Sequence, residues 1–320
     1  MSRSSIPVPA DYLLKRDYCS YGYFLLAPNH WDTESHAVVR TLGLEGGAAT
    51  LRITQATRGE ALSIHADRRL TKPEAADARA AITRMLRLDE GTPVIAGFHK
   101  ADPRWKRGGR GRFMRSPTFF EDVIKTVTSC NVTWPSTVNM NTKLCLVLGE
   151  RSESGLHAFP SAERVAKARP ATLRARCGVG YRDQRIVDLA KLFVRGDVKP
   201  SWFEDPATPD ADVREALLEL PGIGPYAAHN IMQLLGRYGH IPCDTESIRH
   251  AKAVLGMTGT DRELTARVHA HYAPFGPHAF RSYWLELWAF YESRQGPAWT
   301  WEREKTAKAF TAAMLKEKPS

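Results

Sequence analysis

Cysteine is scarce in this chain: five residues in 320, at Cys19, Cys130, Cys145, Cys177 and Cys243. None forms a C-x-x-C pair, which excludes a zinc ribbon, a redox dithiol and a tightly spaced iron–sulfur ligand set. Scattered single cysteines behave as small buried apolar side chains. Long apolar runs are also missing. No stretch approaches the about 18 consecutive apolar residues of a membrane-spanning helix. The opening Met-Ser-Arg-Ser-Ser-Ile-Pro carries no apolar leader. A soluble, cytoplasmic chain with no membrane partner is the expectation. Repeats and low-complexity segments are absent. Acid is the minority charge, with 35 Asp and Glu against 45 Lys and Arg, so the net charge is +10. That balance favours a polyanionic partner and leaves the fold open.

What is present is the material of a globular protein. Apolar residues make up 43% and charged residues 25%, and the length suits two domains of about 150 residues each. Residues 1–85 are expected to form a sheet-rich N-terminal domain. Segments 21–26, 48–54 and 61–65 are short and β-rich, with Pro, Asn and Gly-Gly punctuation between them. Lys72-Pro73 then opens a helical pattern over 74–88, and from there to the end apolar residues recur at helical spacing. Residues 86–320 are therefore expected to form a helical core, giving a mainly α (α+β) chain. Residues 100–115, KADPRWKRGGRGRFMR, hold seven basic residues against the single acid Asp102. The glycines predict a loop, open either to simple solvation or to phosphate contact through residues such as Arg107 and Arg110.

The stretch richest in chemistry begins near Asp210. Asp210 or Asp212 can cap a helix through Leu220, and Pro221-Gly222-Ile223-Gly224 then turns the chain tightly. Pro225 suits a first helical turn, and an apolar-faced helix follows to Leu235, so a helix–hairpin–helix spans 212–235. Such a hairpin presents backbone N–H groups at a positive helix end, an anion site with no charged side chain. A catalytic segment, 240–250, contains His240-Ile-Pro-Cys-Asp244-Thr-Glu. Asp244 stands where it can cap the next helix, and a helix N-terminus favours its ionised form. An ionised carboxylate beside a sugar C1′ stabilises an oxocarbenium-like transition state.

These segments resemble the helix–hairpin–helix DNA glycosylase superfamily. LPGIGPYAAHNI is similar to the family hairpin and IPCDTE to its Pro-x-Asp segment. LRLDEG, SPTFFEDVIKTVTSCNVTW, LHAFPS and LRARCGVGYRDQRIVDLAK follow the order found in 8-oxoguanine glycosylases. FRSYWLELWAF is closer to the Trp-Arg-Ser-Tyr helix of bacterial 3-methyladenine glycosylase II. The resemblance spans about residues 85–291 and implies a monomeric base-excision-repair enzyme, nucleoid-associated if bacterial, whose partner is double-stranded DNA with a damaged base.

By that resemblance Asp244 is the catalytic aspartate, and Gly222, Ile223, Gly224 and Tyr226 meet DNA. Bifunctional relatives carry a Lys where this chain has Tyr226, which implies hydrolysis without strand cleavage; Lys252 is a conceivable substitute amine or a surface lysine. Asn131 matches the asparagine that fills the gap left by a flipped base, and it also suits a turn. Ser136 stands where 8-oxoguanine glycosylases have an Arg that reads cytosine. Tyr226, Trp134, Tyr283, Trp284 and Leu287 are the implied base pocket, although Tyr283, Trp284, Leu287, Trp288 and Tyr291 also fit a helical core stripe. Aromatic walls favour cationic alkylated bases. That tilts the reading to alkylated purines over oxidised bases, with a non-catalytic binder of distorted DNA as the rival of another class. His229, His250, His269 and His271 lack ligand spacing, so no metal and no cofactor is expected, beyond a monovalent cation that the family implies at the hairpin.

Overall fold

The computed structural model describes residues 2–303 and 305–306. The α+β layout expected from sequence is present, and the chain divides into two compact units, each discontinuous in sequence. The first comprises residues 1–92 and 112–200 with the described residues from Trp299 onward; the second comprises 93–111 and 201–298. The boundary drawn from sequence between residues 85 and 86 falls inside the first unit.

The first unit opens on a five-stranded antiparallel sheet in the order β1-β5-β4-β3-β2. Its strands are β1 (Ser2–Ile6), β2 (Asn29–Asp32), β3 (Ala37–Leu44), β4 (Gly47–Thr54) and β5 (Leu62–Ala66). β3 and β4 pair from Leu44↔Gly47 to Val38↔Ile53, so Glu45 and Gly46 alone make the turn. In β5, Leu62, Ile64 and Ala66 are buried while Ser63 and His65 are exposed, the alternation of a sheet with one covered face. The expected strand at 21–26 is instead a 3-10 turn, Gly22–Leu25. Every residue from Tyr21 to Ala27 is buried, and the backbone bonds to itself, Phe24 N–H to the Tyr21 carbonyl and Leu26 N–H to the Tyr23 carbonyl (both 3.0 Å), where a strand would bond to a neighbour.

Helix α1 (Lys72–Met85) starts on a capping box between Thr71 and Glu74 with Pro73 in its first turn. Helix α2 (Thr92–Ala101) leads into the second unit, and Arg112 marks the return to the first, where its guanidinium bonds Asp11 (2.6 Å) and the Glu90 carbonyl (2.9 Å). Helix α3 (Phe119–Ser129) is buried on all sides in the first unit. Its Glu121 bonds Arg40 (2.6 Å) and Lys125 (2.7 Å), and its Asp122 bonds Arg84 (2.8 Å). Helices α4 (Trp134–Leu148) and α5 (Asp183–Arg195) complete this unit's longer helices.

The second unit holds α6 (Asp210–Leu218), α7 (Pro225–Leu234), α8 (Thr245–Ala253), α9 (Asp261–Tyr272) and α10 (Ala279–Gln295). Neither Asp210 nor Asp212 caps α6; Pro209 occupies that position, and the Asp210 carboxylate holds Arg237 at 2.5 Å. Along α10, Phe280, Tyr283, Leu285, Leu287 and Trp288 are at most 3% exposed, making it the central helix of the unit. Arg281 is also buried, its guanidinium 4.1 Å from the Tyr238 ring centre.

Candidate active site around Asp244

Between α6 and α7 the two hairpin glycines do different things. Gly222 has φ +79°, the left-handed backbone that costs other residues most. Gly224 is extended, caps α7, and a side chain built there would meet nothing within 4 Å. Ile223 between them is buried at 5% exposure and its N–H donates to the Leu220 carbonyl at 3.1 Å. The first backbone bond of α7 runs from Ala228 N–H to Gly224 O at 2.9 Å. The N–H groups of Tyr226 and Ala227 therefore lie above the helical ladder, at the positive end of the helix dipole, next to a bare glycine surface.

The extended link through Ile241-Pro242-Cys243 delivers Asp244 to the N-cap of α8. Its two carboxylate oxygens are used unequally. Oδ1 accepts the N–H groups of Glu246 (3.0 Å) and Ser247 (2.9 Å) and the Ser247 hydroxyl (3.1 Å). Oδ2 accepts the Tyr226 hydroxyl at 3.1 Å. Burial pushes the Asp244 carboxyl pKa above the ordinary carboxylate value and the Glu246 charge adds to this, while the bonds from Ser247 and Tyr226 oppose it. The result is a half-buried acid that stays on a helix N-terminus with one oxygen held by a single side chain. Such a carboxylate can face a cation, accept a proton from water, or both.

Tyr226 lies in the first turn of α7, two residues beyond Gly224. Its ring is half-buried. Lys252 sits near the far end of α8, on the order of 12 Å along the helix axis from Asp244 at 1.5 Å per residue, and pairs with Asp261 at 3.1 Å. Among the implied pocket residues of α10, Tyr283 is 3% and Leu287 1% exposed, so both are core in this structure. Trp284 is half-buried and stacked between Phe280 (5.9 Å) and Trp288 (5.4 Å). Two links that the sequence did not reveal tie α10 to the Asp244 helix: the Tyr283 hydroxyl lies 2.8 Å from Ser247 Oγ, and the Tyr291 hydroxyl donates to Glu246. A helical stripe of aromatics gives no sign of which hydroxyl meets which helix.

Near the link, His229 and His240 stack with ring centres 5.1 Å apart, and Cys243 Sγ lies 3.5 Å from His269 Nε2. Burial and the adjacent His240 lower the His229 pKa to about 4. His250 is buried and its Nε2 lies 3.1 Å from Glu286. Among the described residues no cluster of three or more His, Cys, Asp or Glu has the arrangement to hold a metal ion.

In the first unit, Asn131 is at the exposed apex between α3 and α4, with φ +53°. Asn is one of the few side chains that tolerate this region, so its turn role is real, and the exposed amide is free to act beyond it. Arg182, buried at 4% exposure, donates to the carbonyls of Val127 (3.2 Å) and Cys130 and so pins the base of this loop. Trp134 opens α4, and its indole covers Gly22, where a Cβ would come within 3.2 Å of the ring. Tyr181, which sequence reading passed over, is 54% exposed and flanked by Arg182 (4.4 Å) and Arg185 (5.3 Å). An exposed aromatic ring of this kind has the chemistry to stack on a nucleic-acid base.

The basic segment is less free than its composition suggests. Arg104 bonds Asp102 and Glu286, Arg110 bonds Glu292 (2.6 Å), Arg112 bonds Asp11 and Arg115 reaches Asp89 (3.2 Å). Lys100, Lys106 and Arg107 are exposed.

With this geometry in view, the solved structures most informative for comparison are DNA-repair enzymes. The chain is similar to a 3-methyladenine DNA glycosylase from Archaeoglobus fulgidus, with TM-score 0.68 and 18% identity over 91% of this chain and 99% of that one. The chain has a DNA glycosylase fold. It is also similar to an 8-oxoguanine glycosylase/lyase from Clostridium acetobutylicum in its apo form, with TM-score 0.64 and 15% identity over 87% of this chain and 93% of that one. The same enzyme in complex with double-stranded DNA containing cytosine opposite 8-oxoguanine matches with TM-score 0.57 and 17% identity over 83% and 97%. No protein-family profile matches the sequence and no curated protein matches it. The helix–hairpin–helix resemblance read from the motifs thus extends to the fold.

Proposed function

We propose that the protein is a monofunctional DNA glycosylase that hydrolyses the N-glycosidic bond of a flipped, alkylated purine in duplex DNA. The observation that carries this reading is the Asp244 carboxylate, fixed at a helix N-terminus with Oδ2 facing a tyrosine hydroxyl and not a lysine amine. Flipping the nucleotide costs a few kcal/mol, which phosphate contacts at Gly222–Gly224 and filling of the gap by Asn131 offset. As the base departs, the ionised carboxylate stabilises the positive sugar and orients or deprotonates the attacking water. A monovalent cation, if bound, would be held by backbone carbonyls of the 220–224 hairpin and would add positive charge beside it. On α10 the half-buried aromatics are Trp284 and Phe290, and the half-buried Tyr226 beside Asp244 supports stacking on an electron-poor base.

Duplexes carrying single 3-methyladenine, 7-methylguanine or 8-oxoguanine lesions test this directly. Release of the methylated bases, lost in Asp244→Asn, is expected. Release of 8-oxoguanine alone would move the substrate to the oxidised class, to which the order of segments from LRLDEG to LRARCGVGYRDQR points. No release from any lesion would leave a binder of distorted DNA. Borohydride trapping of an enzyme–DNA adduct would overturn the assignment of hydrolysis without strand cleavage.

A further inference from the structure

The hydrogen bonds around Ser247 have a direction fixed by counting. A serine hydroxyl has one proton and two lone pairs. Ser247 Oγ accepts the Asp244 N–H at 3.2 Å, lies 3.1 Å from Asp244 Oδ1 and 2.8 Å from the Tyr283 hydroxyl. Oδ1 already accepts two backbone N–H groups, so the Ser247 proton must go to it, because a carboxylate oxygen cannot donate. That leaves Ser247 only a lone pair for Tyr283, and Tyr283 must be the donor there. The chain runs one way, from Tyr283 O–H to Ser247 Oγ and from Ser247 O–H to Asp244 Oδ1. All three residues belong to the second unit, and both Ser247 and Tyr283 are buried.

We propose that Ser247 and Tyr283 are positioning residues that commit Oδ1 of Asp244 to the protein and leave Oδ2 as the oxygen that acts on substrate. The inference rests on the glycosylase reading for its chemistry and on the local geometry for its physics. Oδ1 has three protein donors and Oδ2 has one, Tyr226, which is half-buried and can move off when a sugar or water arrives. The titratable groups facing the carboxylate are Tyr226 on α7, Glu246 on α8, Cys243 on the link, and Tyr283 with Tyr291 beyond it on α10. Of these only Tyr226 and, through Ser247, Tyr283 donate toward it. Removing a donor to a carboxylate makes its ionised form harder to reach.

The test is titration of the Asp244 carboxyl by carbon NMR in the DNA-free, aspartate-labelled full chain, its signal assigned by absence in Asp244→Asn. Ser247→Ala should raise the midpoint by about one pH unit, a tenfold smaller ionised fraction on the acid side. Tyr283→Phe should shift it the same way by less. The acid limb of base release from methylated duplex DNA should move with these midpoints, while binding to an abasic-site duplex, a check on folding, stays within about twofold of wild type. Unmoved midpoints in both variants would overturn the inference, as would a rate loss that is the same at every pH. If the midpoints move but wild-type protein releases no base, the positioning stands and the glycosylase reading fails.

Discussion

At the scale of single residues, the cap and the acid are one side chain. Asp244→Asn removes the charge and keeps a cap-competent amide oxygen, so it separates the two roles. Base release should fall by at least about 10²-fold, as loss of a preorganised charge-stabilising group does. Stability should move the other way. The folded carboxyl holds its proton to higher pH than the unfolded one, because burial disfavours its charge. Ionised Asp244 therefore subtracts from stability once the pH exceeds the unfolded value, about 3.9, and the full loss is reached above the raised folded value. Thermal unfolding of Asp244→Asn should equal or exceed wild type at neutral pH, with the difference vanishing below about pH 3. A lower midpoint at pH 7 would assign the carboxylate a mainly structural role. Base release by wild type should show an acid limb above the ordinary carboxylate range.

Tyr181 makes a second residue-level prediction. Its ring is exposed between two guanidiniums, and base stacking on such a ring is worth about 1–3 kcal/mol. Tyr181→Ala should weaken binding to an abasic-site duplex by about tenfold in a fluorescence titration, with the unfolding midpoint unchanged. Equal affinity would make the ring a surface feature without contact to DNA.

At the scale of elements, what was legible follows the physics of each signal. The turn of the hairpin was legible, though not the cap of its first helix, because Pro225 and the left-handed Gly222 are backbone requirements that leave a narrow pattern. Gly46-Gly47 marked the break before the β-rich segment 48–54, while its partner strand β3 went unread. The 3-10 turn Gly22–Leu25 did not, since an apolar run reads the same whether it is buried as strand or as helix. Nor could spacing reveal that four of the seven bases in residues 100–115 have acid partners, two of them on α10, far along the chain. The buried charges of α3 were equally hidden. Glu121 there pairs with both Arg40 and Lys125, all three at most 3% exposed at the side chain. Glu121→Ala would leave two buried cations unpaired, and a loss of about 3–5 kcal/mol is expected in urea unfolding. A loss below about 1 kcal/mol would mean that water or relaxation rescues the pair.

At the scale of the whole molecule, the +10 net charge pointed to a nucleic-acid partner and could not say where charge is usable. The side-chain partners now divide the basic segment. Arg110 is tied to Glu292, whose other oxygen holds the Ala298 N–H at 2.9 Å, so this arginine closes the end of α10. Arg107, like Lys100 and Lys106, is exposed and has no ion pair among the described residues. Each phosphate neutralised by such a side chain releases counterions and adds about 0.9 to the slope of log affinity against log salt. Arg107→Ala should therefore lower the slope by about one, weaken binding to all duplexes alike and leave the single-turnover rate intact. Arg110→Ala should do the reverse, sparing the salt slope and lowering the unfolding midpoint, because Glu292 loses its partner. Equal slope changes in both variants would mean that Arg110 leaves Glu292 for phosphate when DNA binds. No slope change in Arg107→Ala would return the exposed part of the segment to plain solvation and place the phosphate grip on the uncharged hairpin backbone.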